Sequence, residues 1–191
     1  MKRFKQSVLL GLMMVFAIGL CSWANPGTDL SPVLNEGKKW RIGYCESEPF
    51  VNYAFTLHAL LEGLGALGWM TGIPEMPFQE GQGDTSRMWE WLATHDIGPS
   101  LECVPDAHYT LSELTPDAQA TILTRLQDGK DIDLLLVMGT RAGLLITKKE
   151  PPVSTLVFST SNAEPGSSRQ WIAPDTRMSG LTWIRIASAD R

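Results

Sequence analysis

Histidine and cysteine are both scarce, 3 of each in 191 residues, and no two cysteines stand at a metal-ligand spacing such as Cys-x-x-Cys. The sequence therefore offers no recognisable metal site, and no metal or cofactor is expected. Gly-x-Ser-x-Gly, a phosphate loop ending in Gly-Lys-Ser/Thr and His-Glu-x-x-His are also missing. Hydrolase, kinase and zinc-protease chemistry thus has no support, and the chain is not expected to be an enzyme. His58 falls within a helix, His95 at a helix end and His108 in a polar bend, each without an acid or nucleophile beside it, so all three read as structural or solvated. Positive charge is short as well: 16 Lys and Arg against 21 Asp and Glu give a formal net charge of −5. An acidic chain is a poor partner for nucleic acid. There is no internal repeat and no low-complexity segment.

Long apolar runs are limited to Ser7–Leu20, which is short for a membrane span of about 20 residues. Lys2, Arg3 and Lys5 precede it and Ser22-Trp23-Ala24 follows, the layout of a secretory signal peptide over residues 1–24, cut after Ala24. Cys21 raises a lipoprotein alternative, but Leu20 before it is not the small residue that such processing prefers. Removing this segment takes three cations and no acid, so the formal charge falls from −5 to −8. The remainder is enough for one domain with a real core. Cys45 and Cys103 remain in it, either as a disulfide in an oxidising compartment or as buried free thiols.

Residues 25–39 read as an exposed leader, and Trp40–Tyr44 as the first strand. Phe50, Ala54, Leu57, Leu61 and Leu64 then recur at helical spacing. Gly63-Leu64-Gly65-Ala66-Leu67-Gly68 matches the dinucleotide fingerprint literally but closes a helix instead of opening one, so Gly68 is read as a C-cap and Gly63 and Gly65 as small packing residues. Asp84 or Thr85 caps a helix over Ser86–His95, whose tryptophans are core candidates. Leu101–Val104 is a strand, ended by a polar bend at Pro105–His108. Thr115-Pro116-Asp117 starts a helix that Gly129 stops.

The sequence is organised around Asp131–Gly143. Leu134–Met138 is an unbroken apolar run, as in a central parallel strand covered on both faces. Gly139 turns the chain, Thr140 caps a short helix over Gly143–Lys148, and the turn leaves backbone amides at the carboxyl edge of the sheet. After Pro151-Pro152, Val153–Phe158 is another buried strand, ending in Ser159-Thr160-Ser161-Asn162, and Gly180–Ile186 is one more. Strand and helix alternate, which predicts an α/β, doubly wound, mostly parallel sheet. Its strand ends place Tyr44, Glu46 and Ser47, Gly139, Thr140, Arg141 and Ala142, and Ser159, Thr160, Ser161 and Asn162 on one polar rim, the expected ligand site. Glu46 and Glu48 suit recognition of a ligand amine better than catalysis.

Five stretches, in this order, resemble the substrate-binding proteins of ABC importers, the two-lobed periplasmic receptors: Arg41–Tyr44 with Glu46–Phe50, Met88–Leu92, Val104–Tyr109, Asp131–Thr140 and Val157–Asn162. The resemblance spans Lys38–Arg191. It implies a flavodoxin-like lobe over residues 40–180, a solute held between two lobes that close by a hinge, a permease in the inner membrane as partner, a monomer, and a periplasmic location. It also implies that Thr140-Arg141-Ala142 offers amides to the carboxylate of an amino acid or other small acid. Only the first lobe is expected here, with residues 181–191 as a strand crossing towards an absent second lobe, as in a truncated product. The competing readings are a ligand-sensing module for a membrane signalling receptor and a secreted enzyme with a flavodoxin-like fold.

Overall fold

The computed structural model describes residues 30–147 and 153–160, and, for backbone only, two short strands at Trp171–Ile172 and Ile184–Ala187. The signal-peptide segment, Ser161 and Asn162 lie outside the described residues. The sheet begins with β1 (Trp40–Glu46), followed by α1 (Val51–Ala66), α2 (Ser86–Thr94), β2 (Leu101–Thr110), α3 (Pro116–Asp128), β3 (Leu134–Met138), α4 (Thr140–Thr147) and β4 (Ser154–Phe158). These four strands are parallel in the order β2-β1-β3-β4. Trp171–Ile172 is β5 and Ile184–Ala187 is β6; β6 pairs antiparallel with β4 and with β5. Only that last part of the strand expected at Gly180–Ile186 is described.

The fold is the expected α/β, doubly wound arrangement, and its layers follow from strand alternation. Ile42, Tyr44, Leu136 and Met138 share one face with α1 and α2, packed on Leu57, Leu61, Met88 and Trp89. Cys45, Leu135, Val137 and Val157 turn to the other face, onto Ile122, Leu126, Ala142 and Ile146 of α3 and α4. Because Leu134–Met138 is covered on both sides, it has no polar alternation. Cys103 belongs to the first layer and Cys45 to the second. The disulfide alternative is therefore wrong: both thiols are free and buried on opposite faces of the sheet, and burial pushes each up to about 12.

Several local readings hold. At the end of α1, Gly68 has φ +79, its N–H donates to Gly65 O at 3.0 Å, and Trp69 N–H donates to Leu64 O at 2.9 Å. This is a Schellman C-cap, so the glycine-rich string is a helix stop. Gly65 packs against Ile73, while Gly63 faces open space. Thr115 accepts from Ala118 N–H at 3.3 Å and starts α3 with Pro116 in its first turn.

Other expectations change. Phe50 is exposed, and Tyr53 takes its place among the buried residues of α1. The polar bend at Pro105–His108 is part of β2: Ile42 pairs with Cys103 but Tyr44 with His108, so Gly43 alone faces the bulged stretch 104–107. Pro105 is tolerated there because β2 is an edge strand with a bulge. The helix after β3 starts at Thr140, not Gly143, so Thr140 is its first residue and not its cap.

Candidate functional site

β1 and β3 are neighbours whose connections run in opposite directions, β1 towards β2 and β3 towards β4. The crevice beyond their carboxyl ends is the topological switch point, where open α/β sheets bind ligands. Gly139 leaves β3 at φ +89, and its N–H donates to Phe158 O at 3.0 Å while its carbonyl accepts from Gly143 N–H at 3.0 Å. A Cβ at this position would lie 2.6 Å from Ser47 Oγ and 2.7 Å from Tyr53 Cζ. Only glycine satisfies both the turn and the close approach.

Ser47 is the hub. Its N–H donates to Met138 O at 3.0 Å and its carbonyl accepts from Ser112 N–H at 3.0 Å. Its Oγ accepts from Ala142 N–H at 3.0 Å and donates to Met138 O at 3.3 Å. The cap of α4 therefore comes from the residue that follows β1 and satisfies an amide that the sequence reading had left to a ligand. Around this hub Arg141 is exposed and Thr140 and Ser159 are half-buried. Ser159 sits at φ +53 with its hydroxyl 3.4 Å from that of Thr56. Thr160 is buried and its Oγ1 has no hydrogen-bond partner among the described residues.

The structure thus brings together Ser47, Gly139, Thr140, Arg141, Ala142, Ser159 and Thr160, but not all as surface. Tyr44, Glu46 and Ala142 are 0 % exposed and Ser47 is 2 % exposed, so these four support the rim instead of lining it. Glu46 does not face a ligand amine. Strand alternation turns it into the α1–α2 layer beside Tyr44, where its Oε2 accepts from Tyr44 OH at 2.8 Å and Thr85 Oγ1 at 3.0 Å and its Oε1 accepts from Thr110 Oγ1 at 3.1 Å. Burial pushes its carboxyl up to about 7, against the pull of the three hydroxyls.

His108 is neither loose nor in a bend. It stacks on Tyr44 with ring centroids 5.2 Å apart, and its Nε2 is 2.8 Å from Thr85 Oγ1. Burial lowers its pKa in spite of nearby Asp84. His58 stacks on Phe78 and His95 on Trp91, in keeping with structural roles. Sequence reading missed Tyr53, Thr56, Thr85 as a side-chain partner, and Thr110. Thr85 was visible as a helix cap, but that task falls to Asp84, whose carboxylate accepts from Ser86 N–H at 2.8 Å; the Thr85 hydroxyl is thereby left for Glu46.

An apolar cavity of about 370 Å³ lies at the other end of the sheet, against Trp40, Leu64, Trp69, Leu101, Leu134 and Ser154. The indole N–H groups of Trp40 and Trp89 are turned to backbone carbonyls of Val33 and Val104. Among the described residues there is no group of three or more metal-ligating side chains and no helix long and apolar enough to cross a membrane. Compared with known proteins, the chain matches no family model, no curated protein and no solved structure.

Proposed function

We propose that this chain is the solute-binding component of an ABC importer, acting in the periplasm with a permease as partner. In this reading the lobe takes a small carboxylate, such as an amino acid, at the carboxyl edge of β1, β3 and β4. The observation that carries the reading is the switch point itself, where the start of α4 lies beside Ser159, Thr160 and the Ser47 hub at the carboxyl ends of the parallel strands. Arg141 adds to it. The helix dipole disfavours a cation in the first turn, and an anion bound there would offset that cost. The helix end contributes roughly 0.3 to 1 kcal/mol to such an anion, so Arg141 and further contacts must supply the rest.

Thermal unfolding of the secreted chain with a panel of amino acids and small carboxylates tests the proposal, because a ligand of the folded state raises the midpoint. One class of acid is expected to raise it, and Arg141→Ala is expected to abolish that rise while leaving the ligand-free midpoint unchanged. A cooperative transition that no member of the panel moves would overturn the reading.

A further inference from the structure

Glu46 presents an uncommon arrangement: a carboxylate with no exposed surface whose bonding partners are all hydroxyl groups. Each of the three belongs to a different element or element end. Tyr44 is on β1, Thr85 precedes α2, and Thr110 ends β2. The Thr85 hydroxyl has one proton. While it donates that proton to Glu46 Oε2 it accepts from His108 Nε2–H, so Glu46, Thr85 and His108 form a single chain of hydrogen bonds.

A hydroxyl can reverse its role, and a neutral Glu46 fits the same cage. Its new O–H donates to Thr85 Oγ, whose own proton then turns to His108 Nε2, with the imidazole proton on Nδ1. Both states keep the Glu46–Thr85–His108 chain bonded, and they differ by one proton and one buried charge. The other titratable groups on this side of the sheet are Tyr44 on β1, Asp84 at the start of α2 and Tyr53 on α1, and Cys45 feels the carboxyl from the opposite face. Asp84, itself next to Arg87, disfavours the ionised form further.

We propose that the Glu46 cage is a proton-binding switch under the rim, closed over a neutral carboxyl and loosened when that carboxyl ionises. Ionisation leaves a desolvated charge that only opening of the Thr85 and Thr110 sides can hydrate. The effect reaches the rim because Glu46 is followed directly by Ser47, which holds Met138, Ala142 and Ser112. It does not depend on the ligand reading above, since it is a property of the ligand-free chain.

The sign is fixed by the two protonation equilibria. Glu46 ionises near 4.5 once exposed to water and at about 7 when closed in. The Glu46 contribution to opening therefore rises by up to about tenfold per pH unit between these values and levels off above them. His108, lowered from 6.5 by burial, works in the opposite sense below 6.5, so the net rise is steepest just below 7. The test is an NMR titration of the ligand-free chain with the Glu46 side-chain carboxyl carbon assigned, alongside amide exchange at Ser47 and Ala142 corrected for intrinsic rates. The expected result is a carboxyl midpoint near 7, with exchange at both amides rising with pH up to that midpoint. Glu46→Gln is expected to abolish that rise, and His108→Gln to leave the Glu46 transition in place. A Glu46 midpoint in the ordinary carboxyl range, or amide exchange flat across the transition in the unmodified protein, would overturn the proposal. Both readings come from the unmodified chain, so the test survives a variant that fails to fold.

Discussion

At the amino edge of the sheet Asp131 and Asp133 meet arginines and Asp96 meets Lys39, whereas at the carboxyl edge Glu46 meets only hydroxyls among the described residues. Asp133 takes three hydrogen bonds from Arg41, through its backbone N–H, Nε and Nη2, at 2.9 to 3.0 Å. Arg125 holds Asp131 at 2.7 Å and Asp106 at 2.8 Å and also donates to Tyr109 OH. These pairs fasten the starts of β1 and β3 and the bulge of β2. Glu46 is withdrawn further from water than any of these acids and has no countercharge among the described residues. A buried ion without a partner opposes folding. Local rules are broken in this way chiefly where a protein acts, and stability is supplied elsewhere. The contrast teaches that the acids of the amino edge are anchored by countercharges, while the carboxyl edge holds one buried acid on hydroxyls alone, as the proposed site there would suit.

Two glycines with positive φ offer the sharpest way to break this comparison. Gly139, at the carboxyl edge, has φ +89 and no room for a Cβ; Gly37, in the turn before β1, has φ +82 and nothing within 4 Å. Gly139→Ala is expected to lose at least about 3 kcal/mol, from backbone strain plus overpacking against Tyr53 and Ser47. Gly37→Ala carries the conformational penalty alone, roughly 1 to 2 kcal/mol. Urea denaturation of both variants measures the difference, and adding Tyr53→Phe to Gly139→Ala should recover part of the loss. Equal losses would mean that the crowding at the rim is not real.

The two edges should also respond to pH with opposite signs. Asp133 is held below its ordinary value of 3.8 by hydrogen bonds from Arg41, so the stability it contributes is present above that value and is lost as the pH falls below it. Glu46 is raised from 4.5 to about 7, so its contribution is complete below 4.5 and is lost as the pH rises towards 7. The integrated change for Glu46 is at most about 3 kcal/mol. Denaturation across pH 3 to 8 should show a maximum between the two limbs. Asp133→Asn should reduce the acid limb, which Asp84, Asp96 and Asp106 share, without changing the neutral limb, and Glu46→Gln should flatten the neutral limb alone.

Much of the scaffold was legible because it rests on local signals. The run Leu134–Met138 required two covered faces, Gly68 a helix end, and Thr115-Pro116 a helix start, and each is found so. The carboxyl edge was only half legible. Strand ends locate the rim, but which residues face outward depends on what packs over them from far along the chain. Ser112 reaches Ser47 and Thr85 reaches Glu46 across 39 positions. Nothing in Cys45-Glu46-Ser47 announces that its polar groups are roofed over. The bulge at Pro105–His108 misled for a similar reason, since an edge strand can absorb residues that elsewhere would end it.

Ser47 carries the smallest of the expected effects and the finest test of which edge works. It caps α4 through Ala142 in the way that Thr115 caps α3 through Ala118, so Ser47→Ala and Thr115→Ala should each lose about 1 kcal/mol. Their consequences should then part. Thr115 serves its own helix, and its loss should leave amide exchange at the carboxyl edge unchanged. Ser47 joins β1 to α4, so its loss should speed exchange at Ala142 and Gly143 well beyond what 1 kcal/mol of global destabilisation produces. If both variants change exchange at Ala142 and Gly143 alike, Ser47 is an ordinary cap and the carboxyl edge has no local looseness of its own. If only Ser47→Ala does so, one hydroxyl separates the rim from the rest of the sheet as a unit able to open by itself.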